Sequence, residues 1–250
     1  MSQMLRSLLF VPGDNPDQIC KAARSAADAV IIDLEDAVAA EAKNDARDAL
    51  GESVELLREN AKYAIVRINA DGAMRKRDVV AAIEANFDAI MVPKVESDAD
   101  LAEVGYLIAH QKRSNRQVSP SLIALIESAR GVLSAAKIAD LPRVSALALG
   151  IEDFAQSMGV KPEPALLDLP VRMLGLAANA TGKAAYALPL SIASFRDIEG
   201  TRAAALTALG YGCHGALCIH PLQVETVNAA YVPATEDVAK ARAVIFAWQE

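Results

Sequence analysis

Two carboxylates, Glu127 and Asp153, follow successive apolar runs, Leu122–Ile126 and Ala146–Leu149. If both runs are neighbouring strands, the two side chains reach the same edge of the sheet and face one point above it. Two carboxylates leave room for water and substrate oxygens. That suits Mg²⁺, which takes few protein ligands and an otherwise open octahedron. The competing reading pairs them with Lys94, Arg67 or Arg130. Arg67 interrupts the apolar stretch Ile65-Val66-Arg67-Ile68-Asn69, and a permanently charged guanidinium there needs an anion. It can clamp a substrate carboxylate or stabilise a developing enolate oxygen. It can equally pair with Asp33, Glu35 and Asp36 of a neighbouring run. The two roles are compatible, because such pairing orients the arginine in advance.

Other reactive residues carry weaker signals. Gly13-Asp14-Asn15-Pro16 reads as a turn into a helix, with Asp14 or Asn15 as the cap. No Gly-x-Gly-x-x-Gly or Walker A pattern accompanies it, so a nucleotide fold has little support. His220 precedes a proline at a strand end and reads as a positioned hydrogen-bonding group more than as a base. His110 falls at a polar helix end and His214 in a glycine-rich turn. Ser128 has no base in a recognisable motif, which argues against a serine hydrolase. The three cysteines, Cys20, Cys213 and Cys218, form neither an even disulfide framework nor a Cys-x-x-Cys pair. They read as buried or incidental thiols of a reducing compartment. No Cys/His spacing suits structural zinc.

These residues need a scaffold that brings strand ends together. Short apolar runs recur at Ser7–Val11, Ala29–Asp33, Tyr63–Ile68, Ala89–Val92, Leu122–Ile126, Ala146–Leu149, Ala185–Leu188 and Ala216–Ile219. Helical patterns lie between them, at Asp17–Ala27, Arg77–Asn86, Ala99–Lys112, Ala129–Ala139, Leu166–Thr181 and Gly200–Leu209. Alternating strands and helices imply right-handed crossovers and a parallel sheet. Eight alternations in 250 residues predict an α/β (β/α)8 TIM barrel over residues 1–250 as a single domain. Chemistry in such barrels gathers at the C-terminal ends of the strands. Those ends read Pro12-Gly13-Asp14, Asp33-Leu34-Glu35-Asp36, Arg67-Ile68-Asn69, Pro93-Lys94-Val95-Glu96, Glu127-Ser128, Gly150-Ile151-Glu152-Asp153 and Ile219-His220-Pro221. The seventh, Leu188-Pro189-Leu190-Ser191, lacks charge. A net charge of −7 without a basic stripe argues against nucleic acid. The apolar run before Pro12 is too short for a signal peptide or membrane span, so a cytoplasmic protein is expected.

At its strand ends the sequence resembles the citrate lyase β-subunit-like branch of the HpcH/HpaI aldolase group. The matching stretches run in order: RSLLFVPG from Arg6, AVIIDLEDAV from Ala29, VRIN from Val66, VPKVES from Val92, ALIESARGV from Ala124, LGIEDFA from Leu149 and CIHPLQV from Cys218. The resemblance implies a homotrimeric barrel, a Mg²⁺ site and carbon–carbon lyase chemistry on acyl thioesters. By position it assigns Glu127 and Asp153 to the metal. Arg67 falls to substrate binding, with Glu127 near the substrate. Arg6, Gly13, Asp14, Ile219 and His220 fall to the pocket for CoA and the acyl chain. The implied reaction is cleavage of a citramalyl-, malyl- or citryl-CoA type substrate to acetyl-CoA and a 2-keto acid. Alternatives are an aldolase acting on free 2-keto acids, or a weakly active subunit that needs an acyl-carrier partner.

Three departures bear on this. Relatives commonly continue into a lid that supplies a catalytic aspartate, whereas the sequence ends at Trp248-Gln249-Glu250 after an alanine-rich helix. The lid is expected to be absent from residues 1–250: either it is missing, or the sequence is incomplete, or other carboxylates such as Glu35 and Asp36 take its place as candidate catalytic groups. Leu188-Pro189-Leu190 replaces an Ile-Asp-Gly. Ala216 stands where many relatives have a lysine.

Overall fold

The computed structural model describes residues 4–70, 72–111 and 119–249. Eight short β-prone runs form its strands. They are β1 (Ser7–Pro12), β2 (Ala29–Asp33), β3 (Tyr63–Arg67), β4 (Ala89–Val92), β5 (Ser121–Ile126), β6 (Val144–Leu149), β7 (Ala184–Tyr186) and β8 (Ala216–Cys218). All pair in parallel, in the order β7-β6-β5-β4-β3-β2-β1-β8. The seam between β7 and β8 is bridged by Tyr186 and Gly215, with His214 N donating to Ala185 O at 2.8 Å. The result is the expected (β/α)8 barrel.

Helices cover the outside. These are α1 (Pro16–Ala23), α2 (Lys43–Asp48), α3 (Leu50–Glu59), α4 (Gly72–Glu84), α5 (Ala99–His110), α6 (Ala129–Ala139), α7 (Ile151–Met158), α8 (Pro164–Ala180), α9 (Ile198–Gly210), α10 (Pro221–Ala230) and α11 (Thr235–Gln249). A strand alternates its side chains between two faces. Val30 and Ile32 therefore face the helices, while Ala29 and Ile31 face the barrel axis. The inner cluster mixes Leu8, Ile31, Ile65, Met91 and Leu125 with Ala29, Ala89, Ala146 and Ala148, so large and small residues fill the tapering interior together.

Element ends depart from the sequence expectation in ways that have local causes. Helix α1 stops at Ala23, not Ala27, because Arg24 caps it and the Ser25 hydroxyl donates to Ala22 O at 2.7 Å. Helix α4 starts at Gly72, five residues before the expected start, since its first turns are polar and hide the apolar period. Strand β7 runs from Ala184 to Tyr186, one residue earlier at its start and two shorter at its end than expected, although Ala187 N still donates to Gly215 O at 3.2 Å. Helix α7, absent from the sequence reading, begins directly after Gly150. The expected end of α5 at Lys112 lies outside the described residues, as do residues 1–3 and Glu250. Among the described residues, no helix is long and apolar enough to cross a membrane. Helix α11 lies on the outside, with Val244, Ile245, Phe246 and Trp248 all exposed.

Candidate active site

The period-2 face that fills the barrel continues into its mouth. Ala29 and Ile31 point inward, and so does Asp33, two residues on. Ile65 brings Arg67 inward by the same rule, and Leu125 brings Glu127. Asp33 and Arg67 are direct register partners on β2 and β3. Arg67 Nε and Nη2 donate to the two Asp33 oxygens at 2.7 and 2.6 Å. Its Nη1 donates to Asp36 at 3.1 Å and lies 3.1 Å from Glu35 Oε2. Beneath it, the Phe10 ring centroid is 5.1 Å from the guanidinium carbon. Burial opposes this charge, but Asp33, Glu35 and Asp36 outweigh it and raise the arginine pKa further. The pairing fixes the guanidinium at the mouth of the barrel. Three of the five guanidinium N–H groups are committed, leaving two for a ligand.

Asp33 does more than pair. Its carboxylate also accepts from Glu35 N at 2.9 Å and Ala37 N at 3.1 Å, which shapes the loop carrying Glu35 and Asp36. Lys43 clamps that loop from α2, donating to the carbonyls of Leu34 and Glu35 and to Asn69 Oδ1. Asp78 on α4 in turn holds Asn69 through both of its nitrogens and pairs with Arg47 at 2.6 Å. Sequence reasoning missed Lys43, Arg47 and Asp78, which lie on helices away from every strand end. Their only sequence signal is charge on otherwise apolar helix faces.

Glu127 is buried, and its Oε2 accepts from the backbone N–H of Lys94 at 2.7 Å. Lys94 adopts φ of 55°, the left-handed region uncommon for a side-chain-bearing residue. Its Nζ reaches Glu35 Oε1 at 3.0 Å, so one residue ties together two carboxylates of the mouth. Gly150 lies against Glu127, where a β-carbon would sit 2.6 Å from both Cγ and Oε1. Only glycine admits the carboxylate in this position. Asp153 was expected at a strand end but comes from the first turn of α7, because the helix starts at once after Gly150. The positive end of the helix dipole favours its charge.

Burial pushes the Glu127 carboxyl up to about 8; the Lys94 amide opposes this, and the charges of Glu35 and Asp153 add to it. Glu35 is likewise raised by burial, against the pull of Arg67 and Lys94. Glu127 Oε1 and the Asp153 carboxylate have no protein donor among the described residues. A hard divalent cation answers this geometry: it neutralises two neighbouring carboxylates, one of them desolvated, and keeps sites for outside oxygens. Among the described residues no cluster of three or more Asp, Glu, His or Cys could hold a metal ion.

These groups open into one cavity of about 590 Å³, lined by Asp33, Asp36, Arg67, Glu127 and Asp153. Its apolar wall comes from Phe10, Leu188, Leu190 and Ile192, with Ile219 at the edge. Glu152 secures part of that wall by accepting from Ser191 Oγ and Ile192 N, both at 2.8 Å. Gly13 packs beside the mouth, its N–H donating to Asp33 O at 2.9 Å. Asp14 is exposed and does not line the cavity, and Asn15 is the cap of α1. His220 caps α10, Nδ1 accepting from Leu222 N at 3.1 Å, with its ring 4.9 Å from that of Phe195. Ser128 caps α6.

Arg6 requires a correction. It precedes β1, at the N-terminal ends of the strands, where its guanidinium and backbone N–H are held by Asp28 at 2.8 Å. A six-residue strand separates it from the mouth by roughly 20 Å. Its pairing lies at the barrel floor, away from the mouth cavity, which it does not line.

A family model described as HpcH/HpaI aldolase/citrate lyase matches residues 6–221. A (3S)-malyl-CoA thioesterase of Cereibacter sphaeroides is 35% identical over 253 residues, covering 98% of this chain and 83% of that protein. An L-malyl-CoA/beta-methylmalyl-CoA lyase of the same species is 35% identical over 268 residues, covering 98% and 84%. Among solved structures, the protein CitE from Mycobacterium tuberculosis, in complex with magnesium, acetoacetate and coenzyme A, superposes with a TM-score of 0.79. It is 34% identical and covers 100% of this chain and 89% of that one.

Proposed function

This chain belongs to the HpcH/HpaI aldolase/citrate lyase family, and from that premise we propose that it is a Mg²⁺-dependent carbon–carbon lyase. The proposed substrate is a short 3-hydroxyacyl-CoA of the citramalyl-, malyl- or citryl-CoA type, and the products are acetyl-CoA and a 2-keto acid. The observation that carries this reading is the shared cavity in which Glu127 and Asp153 face a pre-paired Arg67. Magnesium in the CitE complex and the CoA thioesters named for the relatives support it.

Glu127 and Asp153 would hold Mg²⁺, which when bound supplies Lewis-acid polarisation of the substrate's oxygens. The two uncommitted N–H groups of Arg67 can bind an oxygen on which negative charge develops. Asp36 lines the cavity whereas Glu35 does not, so Asp36 is the better placed base for the 3-hydroxyl proton. As that proton leaves, the C2–C3 bond breaks, the hydroxyl carbon becomes the keto carbon, and the electron pair passes to the thioester as its enolate. The same proton, delivered to the enolate carbon, completes acetyl-CoA. Glu35 then acts as a positioning residue that bridges Arg67 and Lys94. The apolar wall of Phe10, Leu188, Leu190 and Ile192 suits the uncharged acyl and thioester portion.

We assign the protein to the homotrimeric state on the same premise, supported by the uncovered apolar side chains of α11. Light scattering behind size exclusion should return three times the chain mass. The name of the thioesterase relative favours one second reading, hydrolysis to free CoA and the hydroxy acid. The deciding assay offers citramalyl-, malyl- and citryl-CoA with Mg²⁺ and follows 2-keto acid and free thiol separately. Keto acid release that is lost with EDTA or Asp153→Ala supports the lyase. Thiol release without keto acid supports hydrolysis. Inertness towards all three, with activity on free 2-keto acid aldols or only with an added acyl-carrier protein, overturns both.

A further inference from the structure

The barrel has a second opening at its floor. A cavity of about 360 Å³ lies at the N-terminal ends of the strands, the opposite end from the mouth. Leu5 and Ile123, from the inner cluster, form its apolar walls together with Met4. Six polar side chains also line it: Tyr63, Ser145, Asn179, Lys183, Tyr186 and His214.

The Ser145 hydroxyl is engaged with Ser121 Oγ and Leu122 O, Asn179 Nδ2 donates to Gly175 O and Gly212 O, and Tyr63 OH reaches Asp88 O, whereas little inside the protein uses the donors of Lys183, Tyr186 and His214. Tyr186 is 5% exposed, and its hydroxyl has no hydrogen-bond partner among the described residues. Burial, with the nearby charges of Tyr63 and Asp28, holds that hydroxyl in its protonated form. His214 Nδ1 accepts from Ala185 N at 3.3 Å, which leaves Nε2 to carry the ring proton. Burial lowers the His214 pKa and keeps the ring neutral. Lys183 Nζ has no carboxylate or carbonyl partner among the described residues. The other charges of the floor, Arg6 and Asp28, are joined in a bidentate pair. Lys183 is therefore the one formally charged side chain among the described residues lining this cavity. Its charge lacks a counter-ion among the described residues, and the buried Tyr186 hydroxyl is a donor whose pairing would be favourable.

We propose that the floor cavity is a binding site for a small organic monocarboxylate, its carboxylate held by Lys183 and Tyr186 and its apolar body seated against Leu5 and Ile123. The complement follows from the lining: the uncommitted groups of Lys183, Tyr186 and His214 are donors, the walls are apolar, and one positive charge needs one negative charge. The site is separate from the mouth and does not depend on the lyase reading.

The test uses the full chain and 4-fluorobenzoate as the probe, titrated by ligand-observed fluorine NMR. Saturable binding is expected, weakened about 10-fold or more by Lys183→Met and about 3-fold or more by Tyr186→Phe. The uncharged 4-fluorobenzyl alcohol should bind about 10-fold more weakly than the acid. Tyr186→Phe keeps the ring that fills the floor, and unchanged melting temperatures in both variants establish that the fold is intact. Absence of saturable binding, affinity unchanged in either variant, or equal binding of acid and alcohol would each overturn the proposal.

Discussion

Gly150→Ala is the most discriminating single change, because it adds one methyl group against the side chain on which the site turns. The new β-carbon would meet Glu127 Cγ and Oε1 at 2.6 Å and Cδ at 3.0 Å, whereas ordinary contacts begin near 3.4 Å. Glu127 must therefore move by about 0.8 Å, a displacement of the size that costs roughly 10²-fold in turnover when it misplaces reacting groups. The backbone is not the obstacle, since φ −85° and ψ 95° at Gly150 are open to alanine. Stretching the 2.7 Å bond from Lys94 N costs about 1.5–3 kcal/mol. The lower entropy of the unfolded alanine chain offsets about 0.4–1 kcal/mol of this. A net loss of about 0.5–2.6 kcal/mol corresponds to a melting point lowered by about 1–10 °C. The assay is 2-keto acid release from the thioester substrate over a Mg²⁺ series, alongside thermal unfolding. A folded variant with turnover down about 100-fold and a raised Mg²⁺ requirement is expected. Gly51→Ala, where a β-carbon meets nothing within 4 Å, should keep full turnover. Wild-type turnover and Mg²⁺ dependence in Gly150→Ala would refute the claim that the position of Glu127 governs the site.

Mg²⁺ at about 100 times its dissociation constant should stabilise the wild type by about 2.7 kcal/mol, raising its melting point by several degrees. Asp153→Asn should abolish that shift, and an equal shift in the variant would place the ion elsewhere. Asp33→Ala leaves Arg67 buried without its bidentate partner and frees the N–H groups of Glu35 and Ala37. A loss of about 3–5 kcal/mol in urea unfolding is expected, and a loss under 1 kcal/mol would contradict that role. At the floor, Arg6 holds the Asp28 carboxyl below its usual 3.8 although burial pulls it upward. A depressed folded pKa contributes stability that is present above 3.8 and lost as pH falls through the folded value. Asp28→Asn should thus be about 1 kcal/mol less stable at neutral pH, with the gap closing below about pH 3.8. A gap that persists to pH 2 would exclude this origin.

The barrel was legible in the chain because its signal is local and repeated. Each strand needs a short β-prone run, each crossover an amphipathic helix, and eight of each leave few other arrangements. Ala29–Asp33, Ala89–Val92 and Ala129–Ala139 match the structure at both ends for that reason. The positions of Arg67 and Glu127 were also legible, since strand alternation carries the inner face into the mouth.

Contacts between distant segments were not. No local pattern reveals that Lys43 ties the β2 loop to Asn69, that Asp78 and Arg47 stand behind it, or that Gly150 vacates space for Glu127. Arg6 shows the converse. It lies beside a stretch that reaches the mouth, but a parallel strand has two ends, and the direction of β1 puts this residue on the floor beside Asp28. Asp153 comes from a helix because α7 begins directly after Gly150. Periodicity along the chain determines which face a side chain takes, and so the sequence determined the scaffold and the inward placement of Arg67 and Glu127. Which charges meet, how deeply they are buried and what space is left around them depend on segments joined only when the barrel closes, and those the tertiary structure decided.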